Sequence, residues 1–164
     1  MAYSGRYRVK NIKKYRGDPD KVVYRSLWEK YCFEYCDRSE EVLTWSSEEI
    51  VIPYYYEVDK KYHRYYVDLF IKYKNRSILV EIKPKKETQQ PVRKNVKSPR
   101  YINEALTYVK NRNKWTYAES FAKDRGWGFE IWTEETLQSM GIMKKPLKKL
   151  KPLKPLKRAK KRHK

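Results

Sequence analysis

Tyr65-Tyr66-Val67-Asp68-Leu69-Phe70-Ile71 and Ser77-Ile78-Leu79-Val80-Glu81-Ile82-Lys83 are the two runs on which the fold of this chain turns. Both are rich in β-branched and aromatic residues and read as strands, with Lys74-Asn75-Arg76 as the turn between them. Side chains alternate across a strand, so Glu81 and Lys83 share one face while Val80 and Ile82 take the other. Asp68 then meets that pair from the neighbouring strand. Two carboxylates and an ammonium gathered on one sheet face suit a hard divalent cation, with oxygen ligands for Mg²⁺ and a lysine to orient or deprotonate an attacking water. The plainer alternative is an ion pair between Glu81 and Lys83 on a solvent-facing sheet. Asp68 is harder to explain that way, because an acid among Val67, Leu69, Phe70 and Ile71 is costly to bury unless a metal or Lys83 partners it.

Working outward, Ile50-Val51-Ile52-Pro53-Tyr54-Tyr55-Tyr56 reads as another strand, with Pro53 marking an edge or a bulge. Glu57 to His63 reads as a charged connection, so the three runs form a meander of about three antiparallel strands, ended by Pro84. Upstream, Trp45 falls in a loop, and the spacing of Leu27, Tyr31, Glu34 and Tyr35 predicts a helix from about Tyr24 to Asp37. Ser26 followed by Glu29 fits a capping box at its start. Residues 1–20 are basic and polar and read as an extended N-terminal arm. Downstream, residues 85–99 have no hydrophobic period and read as an exposed loop whose Lys85, Lys86, Arg93, Lys94 and Lys97 can grip phosphates. Residues 100–125 predict two short helices broken near Asn111-Arg112-Asn113, with Gly126 as a cap. Gly128 to Trp132 reads as a final strand, parallel to the Glu81 strand after the helical crossover. A last helix opens at Thr133 and stops at Gly141.

The 164 residues carry a formal net charge of +20, a field that attracts polyanions, of which nucleic acid is the commonest in a cell. The charge is uneven. Residues 144–164 hold 12 of the Lys and Arg residues and no acid, leaving 28 basic against 20 acidic residues, or +8, in the domain formed by residues 1–143. That basic tail is rich in Pro and Leu and is expected to be disordered. Sixteen Tyr and five Trp give the rest of this hydrophilic chain enough surface to bury. Cys32 and Cys36 lack the further ligands of a zinc set and read as reduced, partly buried thiols. The absence of a long apolar run excludes a membrane span, and the chain is expected in the cytosol. His63 stands alone, and the tyrosines at 54–56, 62, 65 and 66 read as sheet-packing residues.

Helix, meander, helical crossover and strand in that order resemble the core of the restriction-endonuclease-like fold: α/β, with a mixed sheet of about four strands flanked by helices. Its motif, an acid on the first helix, an Asp on the second core strand and Glu-x-Lys on the third, falls on Glu29, Asp68, Glu81 and Lys83. Further runs, among them Lys14-Tyr15-Arg16-Gly17-Asp18-Pro19, Trp28-Glu29-Lys30, Val51-Ile52-Pro53-Tyr54, Glu81-Ile82-Lys83-Pro84-Lys85-Lys86-Glu87-Thr88-Gln89 and Asn113-Lys114-Trp115, are similar to the head-completion nucleases of T4-like bacteriophages over most of residues 1–142. The Lys-Pro-Leu tail departs from that pattern. The resemblance implies a nuclease acting on packaged DNA or DNA ends late in virion assembly, before tail attachment. Its partners would be double-stranded DNA and head, portal or neck proteins, and its location the host cytoplasm and the virion. Asp68, Glu81 and the Ile82 carbonyl would then hold Mg²⁺, or Mn²⁺ in its place. Glu29 stays open between a capping and a catalytic role, and the resemblance favours the second. Two alternatives are a non-catalytic protein sealing the portal vertex and a restriction or transposon-type endonuclease subunit. The intact acid-acid-lysine set argues against the first.

Overall fold

The Glu81 strand lies inside a four-stranded mixed sheet in the computed structural model, which describes residues 3–146. In chain order the elements are β1 (Gly5–Arg6), 3₁₀ turns at Ile12–Lys14 and Pro19–Lys21, β2 (Val23–Tyr24), α1 (Leu27–Arg38), β3 (Val42–Ser46), β4 (Val51–Tyr56), β5 (Lys61–Tyr66), β6 (Leu69–Tyr73) and β7 (Ser77–Ile82). A 3₁₀ turn at Lys85–Thr88, α2 (Pro99–Asp124), β8 (Gly128–Trp132) and α3 (Glu134–Ser139) complete them. The main sheet has the order β3-β6-β7-β8. Its β6–β7 pair is antiparallel and its β7–β8 pair parallel, joined through α2 as the helical crossover requires. The mixed four-stranded sheet flanked by helices is the expected fold class.

Alternation along β7 divides the core. Ile78, Val80 and Ile82 face a cluster with Cys32, Phe33 and Cys36 of α1, Trp45, Leu69, Ile71, Trp132 and Leu137 of α3. Leu79 faces the opposite cluster, with Ile52, Tyr54, Tyr56, Tyr65 and Val67 and with Ala118 and Ala122 of α2. Helices therefore cover both faces, as a sheet with a parallel pair needs.

Several expectations are corrected. The strand at Val51–Tyr56 is not part of the main sheet: it pairs with Lys61–Tyr66 in a separate hairpin, so the supposed charged connection is itself mostly strand. Charge is tolerated there because Lys61, Tyr62 and Arg64 are exposed. The run from Tyr65 to Ile71 is interrupted at Val67-Asp68, where the chain passes from the hairpin into the sheet. Trp45 lies in β3, which takes the place assigned to the earlier strand by pairing with β6, with a bulge between Val42 and Thr44 that hides its period. The break expected at Asn111-Arg112-Asn113 is absent and α2 is continuous, since Asn113 Oδ1 accepts the Glu57 N–H of the hairpin turn at 3.2 Å and Asn111 is buried. Asn113 thus serves a tertiary contact.

The N-terminal segment is extended, but Tyr7, Val9 and Tyr15 are core residues. Tyr15 bridges Trp45 and the Arg16 N–H donates to the Trp45 carbonyl at 2.9 Å, so this segment covers the outer edge of β3. Asp37 fixes it, accepting from the Tyr7 hydroxyl at 2.8 Å and the Lys10 N–H at 2.9 Å. α1 starts at Leu27 rather than Tyr24, capped by Ser26. Cys32 and Cys36 are free and buried. Among the described residues no helix is long and apolar enough to cross a membrane. The tail expected to be disordered lies, from residue 147 onward, outside the described residues.

Candidate active site

Asp68 sits in the two-residue crossing between β5 and β6. Main-chain bonds hold that crossing: the Val67 N–H donates to the Ile50 carbonyl and the Val67 carbonyl accepts from the Glu48 N–H, each at 3.1 Å. Asp68 Oδ2 accepts the Ile82 N–H at 2.8 Å, which fastens the first carboxylate to the middle residue of the Glu-x-Lys segment. On the α2 side of β7, Lys83 Nζ lies 3.4 Å from Glu81 Oε1. The buried Tyr65 hydroxyl donates to Glu81 Oε2, so each oxygen of this buried carboxylate has a partner. The expected meeting of Asp68, Glu81 and Lys83 is thus what the structure contains.

Glu29 approaches from the other layer, at the first turn of α1. Its Oε2 accepts the Arg25 N–H at 2.7 Å, its Oε1 takes the Ser26 hydroxyl at 3.4 Å, and its own N–H donates to Ser26 Oγ at 3.2 Å. The capping role is present, and so is the position at the site. Ser26, Trp28, Glu29, Ile82, Lys83 and Glu87 line one open cleft of about 400 Å³. No hydrogen bond joins Glu29 to Lys83 among the described residues.

The charges respond to this crowding. Burial raises the Asp68 carboxyl well above the ordinary aspartate range, and the nearby Glu81 and Glu29 add to the rise against the Ile82 N–H and Lys83. Burial likewise pushes Glu29 up, with Glu48 adding, in spite of its bond to the Arg25 N–H. Burial alone would lower Lys83, but Glu81, Asp68 and Glu87 outweigh it and hold the ammonium above the usual lysine range. The donor set fits a hard cation. Among the described residues no three His, Cys, Asp or Glu side chains are grouped to hold a metal ion, so Asp68 and Glu81 would supply only part of a shell that water would have to complete, as Mg²⁺ tolerates. Within an extended strand the N–H and C=O of one residue point to the same edge, so the Ile82 carbonyl shares the edge that Asp68 approaches.

The chain is 45% identical to the head completion nuclease of Enterobacteria phage T4 over 147 residues, covering 87% of this chain and 98% of the T4 protein. It belongs to the head completion nuclease family. Residues 39–134 also match the family model of the TnsA-like endonuclease N-terminal domain. That match spans Asp68, Glu81 and Lys83 and begins beyond Glu29.

Against this family frame the basic loop divides. Lys85 donates to Glu134 through its N–H at 2.8 Å and to Glu135 through Nζ at 2.7 Å, so it ties the loop to α3. Lys86, Arg93, Lys94 and Lys97 are exposed. Four groups near the site are given no part in it by the sequence, in which Tyr65 reads as a sheet-packing residue. Tyr65 holds Glu81. Arg25 and Glu48 pair beside Glu29 at 3.1 and 3.2 Å, with Glu48 in the left-handed backbone region at φ 54°, a strain found most often near functional sites. Lys114 of α2 lies over the Tyr65 ring, 5.3 Å from its centroid. Burial lowers the Lys114 ammonium, partly offset by Glu81. The Asn113-Lys114-Trp115 run contains that residue, but only the packing of α2 on the hairpin brings it to the site.

Proposed function

We propose that this protein is a phage head-completion nuclease that hydrolyses DNA phosphodiester bonds with the help of a divalent cation. The observation that carries the reading is the bond from the Ile82 N–H to Asp68 beside the Lys83–Glu81 pair, which joins the whole acid-acid-lysine set through adjacent main chain. Asp68, Glu81 and the Ile82 carbonyl would hold Mg²⁺, with Mn²⁺ as a substitute, and the metal would polarise the phosphate and make a bound water more acidic.

Lys83, held as an ammonium by Glu81 and Asp68, orients the attacking water and offsets charge that gathers on the phosphate oxygens. Tyr65 keeps Glu81 in one orientation by donating to Oε2, leaving Oε1 toward Lys83. Glu29 adds a further carboxylate close enough to act on Asp68, in the cleft that Ile82 and Lys83 also line. Lys86, Arg93, Lys94 and Lys97 contact phosphates without reading bases, so cleavage has little sequence preference. The chain acts late in virion assembly in the infected host cytoplasm, on packaged DNA or DNA ends, before the tail attaches. It meets the portal or neck proteins there. Purified protein incubated with linear and circular duplex DNA should cut in Mg²⁺ or Mn²⁺ and not in EDTA. Equal cutting under both conditions would overturn the metal role, and no cutting under any would overturn the nuclease reading.

A further inference from the structure

α2 packs on the buried face of the β4–β5 hairpin, whose Tyr65 reaches Glu81 of the site. Lys114 Nζ lies 5.3 Å from the centre of the Tyr65 ring and 5.9 Å from that of Tyr54, and Lys110 Nζ lies 5.1 Å from that of Tyr56. Tyr54, Tyr56 and Tyr65 are all buried residues, so the rings are fixed. The two lysines stand one helical turn apart on the same face, about 6 Å along the axis. Asn113 fastens that stretch of helix to the hairpin turn through the Glu57 N–H. Neither lysine lies within ion-pair distance of a carboxylate among the described residues.

Two half-buried cations held over aromatic rings with no anion of their own make an incomplete arrangement. Aromatic faces steady an ammonium but replace its hydration only in part. If the lysines served only to cover the tyrosines, their flexible stems would carry the charged ends out to water. Lys114 instead stays over the Tyr65 ring, whose hydroxyl donates to Glu81. A chain of cations thus leads from Lys83 through Lys114 to Lys110, out along the hairpin.

Building on the nuclease reading, we propose that Lys114 and Lys110 form a phosphate-binding track that leads one DNA strand to the Asp68–Glu81 site along the seam where α2 packs on the β4–β5 hairpin. Its ligand is the sugar-phosphate backbone. The tyrosines hold the lysines in place, and the loop cations at Lys86, Arg93, Lys94 and Lys97 grip the DNA separately.

The test is duplex-oligonucleotide binding by the full chain in the Asp68→Ala background with EDTA, measured by anisotropy at several salt concentrations. Lys114→Gln and Lys110→Gln should each flatten the log–log salt slope by about 0.9, and the double variant by about twice that. Lys114→Arg should keep the slope, and Lys13→Gln, in the 3₁₀ turn at Ile12–Lys14 on the N-terminal segment, should leave it unchanged. With the catalytic residues intact, Lys114→Gln should raise KM far more than it lowers kcat. Thermal melts establish that each variant is folded. Unchanged slopes in both glutamine variants would overturn the track, and so would a loss confined to kcat, which would place Lys114 in the chemical step. A flattened slope in a protein that never cuts DNA would keep the track and overturn the nuclease reading instead.

Discussion

The two faces of the central sheet have similar aromatic content and use it differently. On the α1 face, Trp45 is fully buried and packs against Tyr7, Tyr15 and Phe33 at centroid distances of 4.8 to 6.1 Å, while Asp37 gathers the nearby N-terminal donors. On the α2 face, Tyr65 gives its hydroxyl to Glu81, and Tyr54, Tyr56 and Tyr65 lie beneath lysines. The α1 face commits its largest aromatic group to packing, whereas three tyrosines of the α2 face hold charged groups at the site. Glu29 is the exception, an acid of the α1 layer that shares a cleft with Ile82 and Lys83. The division means that stability and chemistry should separate under mutation according to face.

The largest separation is expected at the site. Asp68→Ala, Glu81→Ala and Lys83→Ala should each lower cleavage by on the order of 10³-fold or more. The two acid variants should stay folded in thermal melts, because removing either of two close carboxylates relieves repulsion in the metal-free protein. Full activity in Asp68→Ala would break the site assignment. The converse change is Trp45→Ala, which should cost about 3–5 kcal/mol in denaturant unfolding. At temperatures where that variant remains folded, kcat should be close to that of the parent, and a selective loss of kcat would show that the faces are not separable.

Tyr65→Phe crosses the comparison by keeping the ring and removing the Glu81 bond. It should reduce activity or metal affinity by about 10–100-fold, the usual cost of losing a partner that orients a ligand. Raising Mg²⁺ should recover part of the loss, whereas a defect indifferent to Mg²⁺ would place the hydroxyl elsewhere in the mechanism. The smallest stability effect belongs to Glu29. Glu29→Ala should lose activity and about 1 kcal/mol with the capping contacts, while Glu29→Gln keeps the box and loses only charge. Equal melts and equal cleavage defects in the two variants would separate Glu29 from the helix start altogether.

Legibility in sequence followed how local each signal was. β7 is readable because one run of β-branched residues carries both its strand propensity and its alternation, and that alternation puts Glu81 and Lys83 opposite Val80 and Ile82. The Asp68 partnership follows from a single short turn. β5 is obscured because Lys61, Tyr62, His63 and Arg64 look like a loop until their open hairpin face is known. β3 is short and bulged, so its period is lost. The asparagines of α2 read as a break because the Glu57 N–H that Asn113 accepts is distant in sequence and the burial of Asn111 is set by packing. Lys114 and Tyr65 carry no local mark of function either, since each becomes part of the site only when the hairpin docks.

The bond between Asp68 and the Ile82 N–H spans only 14 residues and closes a single antiparallel hairpin, which bears on the order of assembly. Hairpins form within microseconds, ahead of contacts that must close long loops. The two carboxylates and Lys83 are therefore expected to meet early in folding, while Glu29 and Lys114 wait for α1 and α2 to dock. A nascent chain would then hold its acidic pair before either helix covers it, and a divalent cation present during refolding should speed the β6–β7 step more than the final docking. Stopped-flow refolding with and without Mg²⁺, compared between the parent and Asp68→Asn, would register that difference, and identical rates in all four cases would remove the early role of the hairpin.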